Sequence, residues 1–308
     1  MVKRQHYIPQ FYLKRFGKKG KIDVYDIQNK KYIPNADVSN FACKKLFYDI
    51  DASKLEKELS LYKKIYKISD ETKYQEILNN PQLIEETFSR LESKMADYLN
   101  KFESNFSLIN DEEFMSTFFL FIRTLSVRTI GYREQLENIT TQITEWLNKL
   151  NIKQCKNYPL DVSPKELAKI QQLRTIVSLP QTHLDAVNFF SNYDIFIGVN
   201  NSNIGFILSN EPFLSFVSGF NDICFPINPK LSIIMRAKNV DDEFLICKKK
   251  PDSNNIINLD VKDVVKYNIL QNHLMSKYLF GNRKDIEYTM KIISITEEIR
   301  KNILWFFI

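Results

Sequence analysis

Glycine is nearly missing from this chain: 7 of 308 residues, with neither G-x-G-x-x-G nor G-x-x-x-x-G-K-[ST] anywhere. Both motifs use glycine to bring backbone N–H groups onto a phosphate. Their absence argues against a P-loop or a standard dinucleotide fold. Cysteine is almost as rare: Cys43, Cys155, Cys224 and Cys247 stand far apart and none forms C-x-x-C. That spacing offers no disulfide framework and no zinc signature, and it reads as reduced thiols of a cytoplasmic protein. No apolar run approaches the ~18 residues a membrane span needs; the best, Phe114 to Ile122, is far shorter. Met1-Val2-Lys3-Arg4 is not followed by an apolar stretch, so neither a signal peptide nor a membrane partner is expected. Only 3 histidines are available for chemistry near neutral pH.

Aromatic and aliphatic residues are abundant instead. Hydrophobic residues make up 44% of the chain, with 23 Phe and 15 Tyr, enough for a large core. Lys and Arg number 43 against 37 Asp and Glu, a net charge of +6. A basic balance suits encounter with nucleic acid or another acidic surface, and it also serves ordinary solubility.

The periodicity divides the chain into an arm and hairpin (1–35), a helical layer (80–192) and a sheet with a covering helix (193–308). Ile22 to Ile27 alternates as a strand, and Tyr32-Ile33 returns after the turn Gln28-Asn29-Lys30-Lys31. Helical spacing is visible around Leu55 to Ile65 and again from Leu83 to Leu99 after Asn80-Pro81. Asn110-Asp111 opens a second long helix read from Phe114 to about Leu150. Ser163-Pro164-Lys165-Glu166 caps a third, and a fourth is read from Gln181 to Phe190. Short strands follow at Asp194–Val199, Gly205–Ser209, Leu231–Met235 and Glu243–Cys247, expected to form a mostly antiparallel sheet. Asp260 caps a helix running to about Tyr278. The expected fold class is α+β, in a single domain over 1–308.

The first sixteen residues carry the most specific pattern, H-Y-I-P-Q-F-Y-L-K-R-F from His6 to Phe16. Apolar residues and an imidazole are unusual at a terminus, which is normally polar and frayed, so this arm should dock. Further on stand Glu85 and Glu92 seven residues apart, Arg128-Thr129, Phe206 to Pro212 in the order F-I-L-S-N-E-P, Pro226 to Pro229, and Asn268. This ordered set resembles the bacterial family called domain of unknown function 4238, over residues 6 to about 280. Leu208 and Asn210 depart from the threonine and aspartate usual there. The resemblance implies an architecture, a set of polar positions and a bacterial defence or toxin context, with no settled reaction.

Two readings stand beside each polar residue. His6 is either an acid/base or a structural donor that pins the arm. Glu85 and Glu92 share one side of a helix and are either ligands for Mg²⁺ or Mn²⁺ or part of a solvated face. Arg128 lies in an apolar segment and pairs with a substrate phosphate or with one of those acids. Asn210 orients a ligand or caps a turn, since an amide cannot act as a base. Gln10, Tyr12, Ser209 and Asn268 complete the candidate binding set. If His6, Glu92, Arg128 and Asn210 converge, the chemistry they suit is hydrolysis of a nucleic-acid phosphodiester, with a metal at Glu85 and Glu92. The competing class is a non-catalytic binding protein, with a protein partner encoded nearby.

Overall fold

The computed structural model describes residues 4–45, 47–48, 80, 83–149, 163–177, 190–212, 222–239, 241, 245–272 and 276–305. Strand β1 (Arg4–His6) leads through Pro9 into the short helix α1 (Gln10–Lys14). The hairpin β2 (Lys21–Asp26) and β3 (Lys31–Asp37) and the short strand β4 (Cys43–Lys45) follow. The helical layer consists of α2 (Leu83–Phe102), α3 (Glu112–Val127), α4 (Ile130–Lys149) and α5 (Pro164–Val177). Strands β5 (Tyr193–Asn200), β6 (Leu208–Ser209), β7 (Asp222–Asn228), β8 (Leu231–Ala237) and β9 (Ile256–Leu259) come next. Helix α6 (Val261–Gln271), strand β10 (Tyr278–Gly281) and helix α7 (Arg283–Trp305) complete the described elements.

The class is α+β, with two four-stranded sheets and a two-stranded ribbon among the described residues. The first sheet has the order β3-β2-β10-β6 and is antiparallel throughout. The second has the order β7-β8-β5-β9; its first three strands are antiparallel, and β9 runs parallel to β5. The ribbon pairs β1 with β4. Helix α3 lies in the middle, burying Phe114, Phe118, Phe121, Ile122 and Leu125.

The arm docks as its apolar residues require. Ile8, Tyr12, Leu13 and Phe16 are buried, and the Tyr12 ring stacks on Phe225 at 5.1 Å between centroids. Its hydroxyl donates to the Pro226 carbonyl at 2.6 Å. Arg15 then ties α1 to two elements, donating to the Ile227 carbonyl at 3.1 Å and pairing with Glu103 at 2.6 Å.

Several sequence expectations are corrected. The long helix read from Phe114 to about Leu150 is two helices, broken at Arg128-Thr129. The expected hairpin forms, and β10 and β6 extend it into a four-stranded sheet. Of Gly205–Ser209, only Leu208 and Ser209 form a strand, and they join the hairpin's sheet. Leu245 to Cys247 is not a strand: the buried Asp222 carboxylate accepts the Ile246 and Cys247 amides instead. Pro226 lies inside the edge strand β7 beside a bulge, a setting in which sheets accommodate proline. Helix α6 stops at Gln271, since Tyr278 begins β10. The helical signals around Leu55 to Ile65 and from Gln181 onward lie outside the described residues, apart from Phe190.

Candidate functional site

The break between α3 and α4 organises the polar residues. A break strands backbone carbonyls at the end of one helix and amides at the start of the next. Here the carbonyls of Val127 and Thr129 accept from the buried Gln172 side chain at 2.8 and 2.9 Å. The Arg128 carbonyl accepts from the Tyr48 hydroxyl at 2.8 Å. On the α4 side the Thr129 hydroxyl accepts the Tyr132 amide at 3.2 Å, as a helix cap does. Two buried side chains from elsewhere in the sequence therefore make the break tolerable.

Arg128 is 2% exposed and points back toward the arm. One guanidinium nitrogen pairs with Glu92 Oε1 of α2 at 2.7 Å, and another donates to the His6 carbonyl. The guanidinium lies 4.3 Å from the centre of the Phe88 ring. Glu92 remains 24% exposed on its side chain, so the pair is covered on the arginine side and open on the carboxylate side. His6 is half-buried, with Nε2 3.2 Å from the Ser39 carbonyl. A carbonyl can only accept, so Nε2 carries the proton and Nδ1 keeps its lone pair. Burial lowers the imidazole's pKa below its ordinary value, against the Ser39 bond and the Glu92 charge. The neutral form dominates at pH 7.

Glu85 is half-buried on α2, seven residues from Glu92 and so ~10 Å along the axis. Among the described residues no cluster of three or more His, Cys, Asp or Glu could hold a metal ion. A divalent cation at Glu92 would depend on waters and substrate oxygens for its other ligands.

Asn210, Ser209 and Asn268 form a second buried group. Asn210 Oδ1 accepts the Lys277 and Tyr278 amides at 2.6 and 2.8 Å. An aspartate would accept the same two amides, whereas the asparagine Nδ2 can in addition face the Glu211 carboxylate at 3.4 Å. Asn268 Oδ1 accepts the Ile207 amide at 3.0 Å, while Nδ2 donates to the Gly205 carbonyl at 2.9 Å. Gln271 accepts both the amide and the hydroxyl of Ser209, at 2.9 and 3.1 Å. Helix α6 thus closes the outer edge of β6. Tyr12 spends its hydroxyl on β7, and Gln10 opens α1 half-buried.

Between the two groups lies Glu211, which the sequence reading passes over as part of a turn. It is 6% exposed, and its Oε1 accepts the Gly131 amide at 2.8 Å at the start of α4. The Thr129 hydroxyl also donates to the carboxylate. Burial pushes its pKa up to about 7, more than these donors bring it down, and Glu134 nearby adds to the rise. A side chain on residue 131 would place its Cβ 2.7 to 2.9 Å from the carboxylate atoms, so any larger residue there requires the carboxylate to shift. The signal available in the sequence was Gly131 itself, a lone glycine inside a helical pattern.

The structure therefore brings His6, Glu92 and Arg128 together, gathers Ser209, Asn210 and Asn268 separately, and joins the two groups through Thr129, Gly131 and Glu211. His183 and His273 lie outside the described residues. No helix among the described residues is long and apolar enough to cross a membrane. No curated protein and no solved structure matches the chain. The family whose description reads "Protein of unknown function (DUF4238)" matches residues 4–285, nearly the whole length, and the chain belongs to that family.

Proposed function

We propose that the chain is a hydrolase of nucleic-acid phosphodiesters, with His6 and Glu92 as the reacting pair. The supporting observation is that the buried Arg128 holds both the His6 backbone carbonyl and the partly exposed Glu92 carboxylate, whose charge acts on the His6 ring. In this reading His6 Nδ1 takes the proton of the attacking water and returns it to the leaving oxygen. Glu92 stabilises the imidazolium between those steps. Arg128 is a positioning residue, because its own partners occupy it and it is closed off from substrate. Mg²⁺ or Mn²⁺, if required, is held by Glu92 with substrate oxygens. The setting we propose is the bacterial cytoplasm, as a defence effector or toxin acting with a partner from a neighbouring gene.

A second reading, a non-catalytic binding protein, is favoured by the way Tyr12, Ser209, Asn210 and Asn268 spend their polar atoms on the chain's own groups. Incubation of the protein with labelled RNA, tRNA, single-stranded DNA and duplex DNA, with Mg²⁺, Mn²⁺ or EDTA, separates the two. Shorter products from at least one nucleic acid are expected. Binding without products in any condition would leave the second reading standing.

A further inference from the structure

The β1–β4 ribbon sets cations around His6. Arg4 and Lys45 stand directly opposite each other, and His6 pairs with Cys43. Opposed residues share a face, and alternate residues do too, so Arg4, Lys45 and His6 lie on one side. Arg4, Lys44 and Lys45 are exposed. Two like charges placed directly across a ladder repel, and nothing in the folding of the ribbon requires that pairing.

Lys44 pairs with Gln5 and so faces the other side of the ribbon, where further cations gather. The Lys44 ammonium and the Arg133 guanidinium approach the same Phe47 ring, at 5.8 and 3.7 Å from its centre. Burial first, and then the charges of Arg133, Lys165 and Lys277, lower the pKa of Lys44. The acid near this group, Glu134, is engaged by Lys277 at 3.1 Å. Arg4 bonds the Asn40 amide oxygen, and Arg133 bonds Gln172 and the Phe47 carbonyl, all neutral acceptors. Arg4, Lys44, Lys45, Arg133 and Lys165 have no carboxylate partner among the described residues. Lys21, Lys94 and Lys249, in other parts of the molecule, each have one.

We propose that the face of the β1–β4 ribbon that carries Arg4 and Lys45 binds the phosphate backbone of nucleic acid and carries it across His6. This deepens the hydrolase reading and rests on it for the role of His6, while the binding surface itself is tested separately. Convergent cations with neutral partners keep their full charge for a polyanion, whose counterions are released on binding. A lipid surface is the weaker fit, because amphipathic membrane binding also needs exposed apolar side chains. Those among the described residues lie on α4 and α7, at Ile139, Ile143, Trp146, Tyr288 and Ile295.

The test is fluorescence anisotropy with a labelled single strand, a labelled duplex and anionic phosphatidylserine vesicles, across a salt series. Wild type is compared with R4Q/K45Q and with K248Q/K250Q, a control of equal charge change at exposed residues elsewhere. R4Q/K45Q should weaken binding to nucleic acid about tenfold and reduce the log–log salt slope by roughly 1.4 to 1.8. Its melting temperature should stay level or rise, because the repulsion across the ribbon is relieved. Equal loss in the control, or binding to vesicles and not to nucleic acid, would overturn the assignment. Binding lost in R4Q/K45Q while wild type cleaves nothing would uphold this surface and sink the hydrolase reading.

Discussion

Glu211 is a residue whose charge near neutral pH depends on the fold. Its carboxyl has an ordinary pKa near 4.5 and one of about 7 in the folded protein, mainly from burial. The folded state therefore holds a proton that the unfolded chain releases between those values. That contribution to stability is complete below the ordinary pKa and is lost as the pH rises through 7. The groups facing it are Thr129, Gly131 and Glu134 from α4 and its cap, Asn210, and Tyr7 from the arm, whose phenol is pushed up by burial and by Glu211. The melting temperature followed by circular dichroism should fall between about pH 4.5 and 7 and level off above that, and Glu211→Gln should remove most of that slope. An unchanged slope would mean that the carboxylate is better solvated than its burial implies. At this scale the sequence was partly legible. His6 and Arg128 drew attention because an imidazole at a terminus and a guanidinium in an apolar run need a physical reason. Glu211 did not, since Ser209, Asn210 and Pro212 around it read as a solvated turn.

The helix break is the element on which the site depends, and it was hidden. Apolar spacing from Phe114 through Val127 continues into α4 without a proline, and the groups that repair the break, Tyr48 and Gln172, come from distant positions. Gly131→Ala tests the joint. Helix propensity alone favours alanine by up to about 1 kcal/mol. Contact of the new Cβ with Glu211 opposes it, and overpacking of this kind costs about 1–3 kcal/mol. Net destabilisation in urea denaturation is expected, and combining the change with Glu211→Ala should cancel much of it. A gain in stability would show that the carboxylate moves aside freely. Other elements were missed for related reasons: β7 contains Pro226, which reads as a turn, and β9 is a short strand recruited in parallel by β5. The hairpin, α2 and the start of α5 were legible because caps and alternation are local signals.

Across the whole molecule, the α+β class followed from the change of period after Ser191. What was not visible is that the hairpin near the start and β10 near the end form one sheet. That pairing, with Tyr12 and Arg15 reaching β7, holds the arm against the rest of the chain and so fixes His6 beside Glu92 and Arg128. Local patterns cannot report contacts between residues more than 200 positions apart. The arm is thus both a structural clasp and the carrier of the proposed reacting imidazole, and one variant separates those roles. Cleavage of labelled nucleic acid by wild type and by His6→Ala, with melting temperatures measured on the same samples, is the most direct test. A loss of about 10²-fold or more in rate with the melting temperature held within a few degrees is the expected result. Full activity in His6→Ala, or a loss that appears only where the variant unfolds, would contradict a catalytic His6.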